Sequence, residues 1–243
     1  MTTGQGLAGE IVLASSLDAA TRLEMWNLMA RYFREANRSA FERDLAGKRW
    51  AIVLRDDGGA VQGFSTLDLM EADLGGRPVR AIYSGDTIAE RSHWGTAALP
   101  RAFLRFVARH TGADSDEAEW YWFYVCKGYR TYRFLPVFYH HFFPCPARAT
   151  PRREQAVMDA LATRRFGDAY NRSTGVVRVP GDYALRPGVG DVTAERRRDP
   201  FVEFFQCRNP GWPQGDELVC LARIGRENLR ARPRRWLAEE RSS

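Results

Sequence analysis

The stretch from Arg80 to Leu104 constrains this chain most. Arg80 to Ala89 reads as a strand, Glu90-Arg91-Ser92-His93-Trp94-Gly95-Thr96 as a polar turn, and Ala97 to Arg109 as an amphipathic helix. A strand that stops at a small-residue turn and feeds a helix leaves the first N–H groups of that helix without partners. Together with the helix dipole they form an anion site suited to phosphate. A second unit follows the same plan. Trp120-Tyr-Trp-Phe-Tyr-Val-Cys126 is apolar or aromatic at every position, as suits a strand covered on both faces in the middle of a sheet. It leads to a short helix ending in Phe138-Tyr139 and to the cluster His140-His141-Phe142-Phe143-Pro144.

The remaining elements follow from period and punctuation. Glu10 to Ala14 is a first strand, and Ser16 and Asp18 are candidate N-caps for a helix reaching about Phe33. Along it Leu23, Trp26, Met29, Ala30 and Phe33 recur on one face. A second helix is expected over Ser39 to Ala46. Trp50 to Leu54, the turn Asp56-Asp-Gly-Gly59 and Val61 to Leu67 make a hairpin, and a second turn at Gly75-Gly76 opens the strand to Ala89. An acidic loop is expected over Asp114 to Glu119 and a helix over Arg152 to Arg164. From Gly167 to Gly215 the pattern weakens; an ordered insertion with a short helix at Asp199 to Cys207 is expected, then a last strand over Asp216 to Ile224.

Composition narrows the class. The chain has 243 residues, of which 44% are apolar, enough for a sizeable core. It contains no run of 18 apolar residues, so no membrane partner is expected, and Met1 to Gly6 lacks the basic start and apolar stretch of a secretory signal, so a cytoplasmic location is expected. The net charge is +6, yet only Lys48 and Lys127 are lysines and the other 34 of the 36 basic residues are arginines. That skew weakens the charge as an argument for nucleic acid. The late clusters, Arg196-Arg197-Arg198 and Arg226 to Arg241, read as a solvated face or a frayed tail, or as a surface for an anionic partner. Cys126, Cys145, Cys207 and Cys220 show no CxxC pair and no zinc spacing; free thiols and no metal are expected.

The order of elements and the two turns resemble the GNAT superfamily of N-acyltransferases, over roughly Glu10 to Pro146, with Asp216 to Ile224 able to supply a last strand. The family's turn signature, Arg/Gln-x-x-Gly-x-Gly/Ala, is partly present. Arg91 fits its first position, Gly95 and Ala97 its last, and the middle glycine is replaced by His93 or Trp94. The family's Phe-Tyr-x-x-x-Gly-Phe pattern matches Phe138-Tyr139 to Phe143, with Phe142 in place of glycine. The resemblance implies an α/β fold, a GNAT-like mixed central sheet flanked by helices with a C-terminal extension. Residues 1–150 would form the acyltransferase core; residues 151–243 would add a helix, an irregular insertion and a late strand to the same domain.

It also implies an acyl group carried by a pantetheine thioester, acyl-CoA or an acyl carrier protein, and moved to a small amine or amino acid. Ile88, Ala89, Arg91, His93, Trp94, Gly95, Thr96 and Ala97 would hold the thioester co-substrate. Tyr139 would protonate the departing thiolate, or else be a core tyrosine. Asp86 would face the cleft as base or amine anchor, or with Ser84 face solvent or cap a turn. His140 would be a base, or a surface residue beside His141. A homo-oligomer is possible. The rival readings are a non-catalytic GNAT-like module that binds a ligand or a protein and, as the less favoured one, nucleic-acid binding through the aromatic and basic residues of Trp120 to Tyr139.

Overall fold

The computed structural model describes residues 6–111, 119–179 and 183–241. It opens with β1 (Ala8–Leu13), α1 (Ala19–Tyr32), the two-residue β2 (Phe33–Arg34) and α2 (Arg38–Ala46). The helices start where side chains satisfy their first amides: Asp18 accepts from Thr21 N at 2.7 Å and Asn37 from Ala40 N at 2.9 Å. Strands β3 (Trp50–Arg55), β4 (Val61–Asp73) and β5 (Pro78–Ala89) form a meander. Its first turn closes through Gly59, at a φ of +84°, and through Asp56, whose Oδ1 accepts from Gly58 N and Ala60 N at 3.0 Å each. β4 runs six residues past the expected Leu67, because β5 pairs with it as far as Asp73 and Pro78.

Next come α3 (Ala98–Thr111), β6 (Glu119–Cys126), α4 (Tyr129–Tyr132) and α5 (Phe134–Phe138). The single short helix expected before Tyr139 is two helical turns that meet at Arg133, with Pro136 inside the second. Most of the acidic loop expected over Asp114 to Glu119 lies outside the described residues. The chain ends with α6 (Arg152–Phe166), the short β7 (Tyr170–Asn171), β8 (Val176–Val177) and β9 (Ala184–Leu185), then α7 (Pro200–Arg208), β10 (Glu217–Arg223) and α8 (Ala231–Arg241).

Among the described residues eight strands form one mixed sheet in the order β1-β3-β4-β5-β6-β10-β8-β7, and β2 pairs separately with β9. The fold is thus α/β, a mixed central sheet flanked by helices. As its unbroken aromatic pattern requires, β6 lies inside the sheet, parallel to β5 and antiparallel to β10. Tyr121 and Phe123 pack on one face with Met158 and Leu161 of α6. On the other face Trp122 and Tyr124 pack with Leu104 of α3 and Phe205 of α7. The last arginine cluster is no frayed tail. It contains α8, whose Trp236 and Leu237 are buried in that second cluster, while Arg101 of α3 pairs with Glu239 at 3.0 Å. No described helix is long and apolar enough to cross a membrane.

One irregularity positions everything that follows. β5 and β6 pair from Val79↔Glu119 to Ser84↔Tyr124 and then part. β6 continues along β10, whereas Gly85 to Ala89 stay with β4 across a bulge opposite Ser65 to Leu67. The edge of β5 that faces β6 is therefore open from Gly85 onward. Every second peptide group of an antiparallel strand points away from its partner, so this edge offers N–H and C=O groups to the gap.

Candidate active site

Three cavities converge on the gap, and Thr87 and Thr131 line all three. The largest, about 370 Å³, lies beyond the β5–α3 turn. His93, Trp94, Gly95, Thr96 and Ala97 line it with Ile88 and Ala89, and Arg130, Arg133, Arg196 and Arg232 stand on its other sides. Residues 91–93 form a single 3₁₀ turn, Gly95 takes a φ of +83°, and Arg101 N returns to Ala97 O at 2.9 Å, which makes Ala97 the cap of α3. Among the described residues the N–H groups of Ala97, Ala98 and Leu99 have no hydrogen-bond acceptor, and Pro100 has no N–H. Free amides, the positive helix end and four guanidinium groups together suit a phosphate or diphosphate.

Two of the residues expected here are placed differently. Arg91 turns away from this cavity: its Nη2 donates to Gly188 O at 2.7 Å. Trp94 is a partition wall. Its Nε1 donates to Ala89 O at 2.8 Å, and the guanidiniums of Arg91 and Arg130 lie 5.2 and 4.3 Å from its ring centroid. A positive φ at Gly95 also means that proline, fixed near −65°, cannot replace it without breaking the turn.

The second cavity, about 40 Å³, is apolar. Leu99, Phe103, Trp122, Phe134 and Phe138 line it, with Ser65, Ser84 and Thr87 at one corner. Ser84 is buried, not facing solvent, and its Oγ accepts from Trp122 Nε1 at 2.8 Å. Tyr139 closes the wall, buried, with its ring 5.8 Å from that of Trp122. It caps α5 rather than lying within it. Among the described residues its hydroxyl has no hydrogen-bond partner, and burial pushes its pKa well above the ordinary tyrosine value. Burial therefore keeps the phenol protonated in this cavity.

The third cavity, about 160 Å³, opens on the opposite side and is lined by Asp44, Asp86, Lys127 and Glu217 among Tyr32, Phe33, Tyr129 and other residues. Asp44 pairs with the buried Lys48 and, at 2.9 Å, with Arg165; Glu217 pairs with Lys127 at 3.2 Å. Among the described residues Asp86 forms no ion pair; its Oδ1 accepts from the Tyr183 hydroxyl at 2.9 Å. Burial, then the neighbouring Asp44 charge, push its pKa above the usual carboxylate range, against the pull of Lys48, Tyr183 and Lys127.

His140 is not brought to the site. It lies beyond α5 rather than on a helix, is exposed, and lines none of the three cavities; its N–H donates to Asn228 O at 2.9 Å. His141 points to Arg148, whose Nη1 is 2.6 Å from its Nδ1. Sequence reasoning missed Asp44, Lys48, Lys127, Tyr183 and Glu217. The two lysines carried a signal, as the only ones in an arginine-rich chain.

No family model matches the sequence, and no curated protein matches it. Among solved structures the chain is similar to a conserved protein of unknown function from Enterococcus faecalis, at 13% identity and a TM-score of 0.41, over 56% of this chain and 33% of that one. It therefore spans about a third of that protein's length. It is also similar to the GNAT family N-acetyltransferase YhbS from Escherichia coli in complex with CoA, at 16% identity and a TM-score of 0.37, over 57% and 72% of the two chains. A third similar structure is an aminoglycoside acetyltransferase from an uncultured soil metagenomic sample, in complex with sisomicin, at 14% and 0.33, over 47% and 76%. The strand–turn–helix from Pro78 to Thr111 and its parallel partner β6 follow the order of elements expected from the sequence.

Proposed function

We propose that this protein is an N-acyltransferase that moves an acyl group from a pantetheine thioester, coenzyme A or a carrier protein, to a small amine by direct transfer. The observation that carries this reading is the convergence of three chemically different cavities on one break in the sheet. The phosphate end of the donor would sit at the start of α3, near Gly95 to Ala97 and the cavity's arginines. The pantetheine arm would run along the open edge of β5, where its amides meet unpaired peptide groups as an added strand would. That lays the acyl group against the apolar wall that ends at Tyr139.

The acceptor would enter from the opposite side, its ammonium held by Asp86, which forms no ion pair among the described residues. A pKa raised above the usual carboxylate range makes Asp86 a better acceptor for a proton from that ammonium than an ordinary carboxylate. The freed amine attacks the thioester carbonyl and a C–N bond forms. A peptide N–H on the open edge of β5 holds the oxyanion. As the C–S bond breaks, the electron pair leaves on sulfur and Tyr139 supplies its proton, while the second proton shed by the new amide nitrogen restores the Tyr139 phenol.

The test is a panel of acetyl-, medium-chain and aromatic acyl-CoA donors, and the same acyl groups on a carrier protein, each incubated with mixed primary amines. Mass spectrometry should show an amide product together with free thiol. Donor binding in thermal-shift measurements without any amide product would favour a non-catalytic ligand-binding module.

A further inference from the structure

The irregular region after α6 places one segment, residues 183–190, across the cavity that holds Asp86. It is tied down at several points. β9 pairs with β2 through Phe33↔Leu185 and Arg34↔Ala184, and Arg186 N donates to Tyr32 O at 2.9 Å. Arg91, from the β5 side of the gap, donates to Gly188 O at 2.7 Å; Arg130, from the β6 side, reaches Val189 O at 3.5 Å. Both arginines also lie on Trp94. The segment thus bridges the two sides of the gap. Leu185, Val189 and Gly190 line the cavity. Tyr183 is wedged between Phe33, 5.0 Å away between ring centroids, and Lys127, whose Nζ lies 4.5 Å from its ring, and its hydroxyl holds Asp86.

The charges inside the cavity are nearly settled. Asp44 and Glu217 already have lysine partners, so among the described residues that line the cavity one carboxylate, Asp86, is left to receive one ammonium. Beside these paired carboxylates the lining includes apolar side chains, Phe33, Leu185, Val189 and Tyr129, and the cations Lys127 and Arg130. A second ammonium would lose its hydration there without gaining a counter-charge, a costly exchange.

We propose that residues 183–190 form the wall that selects the acceptor, with Tyr183 as the residue that positions Asp86 and Leu185 and Val189 as the surface that admits a compact monoamine with an apolar body. This rests on reading the cavity as the acceptor site, and its test reads binding directly so that the two can fail separately. Calorimetric titrations of the full chain would use 3-methylbutylamine, 2-phenylethylamine and 1,4-diaminobutane, without any acyl donor. The monoamines should bind at least about tenfold more tightly than the diamine, a margin that one desolvated, unpaired charge readily supplies. Leu185→Ala should shift the preference from 3-methylbutylamine toward 2-phenylethylamine. Tyr183→Phe keeps the ring and removes the hydroxyl, so it should weaken all amines about three- to tenfold. It should also move the acid fall of amine binding to higher pH. The groups facing Asp86 are Asp44, Lys48, Tyr83, Lys127, Tyr183 and Glu217; only the loss of the Tyr183 hydrogen bond, which favours the charged carboxylate, changes in that variant. A diamine that binds as tightly as the monoamines, wild-type protein that binds none of the three, or affinities and pH profiles unchanged in both variants would each overturn the proposal. Transfer assayed in parallel separates the two readings. Amine affinities that follow the variants without transfer keep the wall and remove the chemistry; transfer that ignores the variants does the reverse.

Discussion

Tyr139→Phe removes one oxygen atom, and the structure says what that oxygen does and does not hold. Within the described residues the hydroxyl makes no hydrogen bond, while the ring packs on Trp122 and faces the apolar cavity with Phe103 and Phe138. An ordinary buried tyrosine would lose a hydrogen bond here, about 0.5–1.5 kcal/mol. This one should lose almost nothing, so the melting temperature should stay within about 2 °C, since 1 kcal/mol moves a domain of this size by roughly 2–4 °C. Donor affinity should also hold. Turnover should not, because a positioned general acid contributes about 10²–10⁴-fold, which corresponds to roughly 2.7–5.4 kcal/mol of barrier at 1.36 kcal/mol per decade. The assay is release of free thiol from an acyl-CoA at saturating amine, beside a thermal melt. Thiol release within about twofold of wild type would refute the acid role, and a melting point lowered by more than about 4 °C would refute the claim that the hydroxyl is unpartnered.

Three further substitutions probe the other sides of the gap. Asp86→Asn should abolish amine binding yet raise stability at neutral pH. A buried carboxyl with a raised folded pKa binds its proton more tightly when folded, so its unfavourable contribution is absent below the usual carboxylate range, grows as pH rises, and is complete above the folded value. Melts from pH 3 to 8 should show the advantage of the variant disappearing in acid. Gly85→Ala needs no unusual φ, but its methyl would collide with Thr66 Oγ1 and lie 3.0 Å from Lys48 Cε, so denaturant melts should show a loss of about 1–3 kcal/mol. Ala98→Pro removes one free amide at the first position of α3, where proline is well tolerated, and should cut calorimetric donor affinity by about 10–100-fold, as loss of a hydrogen bond to a charged group would, without lowering the melting temperature.

What the sequence reveals here is set by how local each signal is. The β3–β4 turn, the Asp18 cap of α1 and the unbroken aromatic run of β6 are decided by neighbours in sequence, and each forms where its residues predict. The α3 start is equally local, and so is Tyr139, which follows β6 by only thirteen residues. Asp86 was legible as a polar interruption of an apolar strand, but whether it faced a cleft depended on the bulge in β4 and on where β6 parts from β5. The misplacements follow the same rule. His140 was expected as a base or a surface residue, and it falls outside the cavities because β10 and the turn at Asn228 draw the chain after Phe138 into bridges with Leu229 and Leu221. Arg91 was expected to reach a phosphate, and only the segment at Gly188, 97 residues on, draws it elsewhere.

The two lysines show how a signal can be plain in composition and unreadable in meaning. Nearly every cation in this chain is an arginine, and arginine serves well at the surface and over aromatic rings, as Arg91 and Arg130 do on Trp94. Lys48 and Lys127 are only 6% and 9% exposed, and each is spent on a carboxylate of one cavity, Asp44 and Glu217. A guanidinium carries five donors in a rigid plane, and burying it leaves most of them to be satisfied. An ammonium on a flexible stem places one compact charge and can lie over a ring as well, as Lys127 does on Tyr183. Compact charges suit a place where Gly85 must pass within van der Waals reach of the Lys48 side chain. Their effect is to offset the carboxylates beside Asp86 in part: Asp44 and Glu217 each have a lysine partner, while the Asp44 charge still pushes the Asp86 pKa up. None of this could be read from positions 48 and 127 alone, because the chain brings them together only by folding α2, β6, β10 and the segment at Tyr183 around the same break in the sheet.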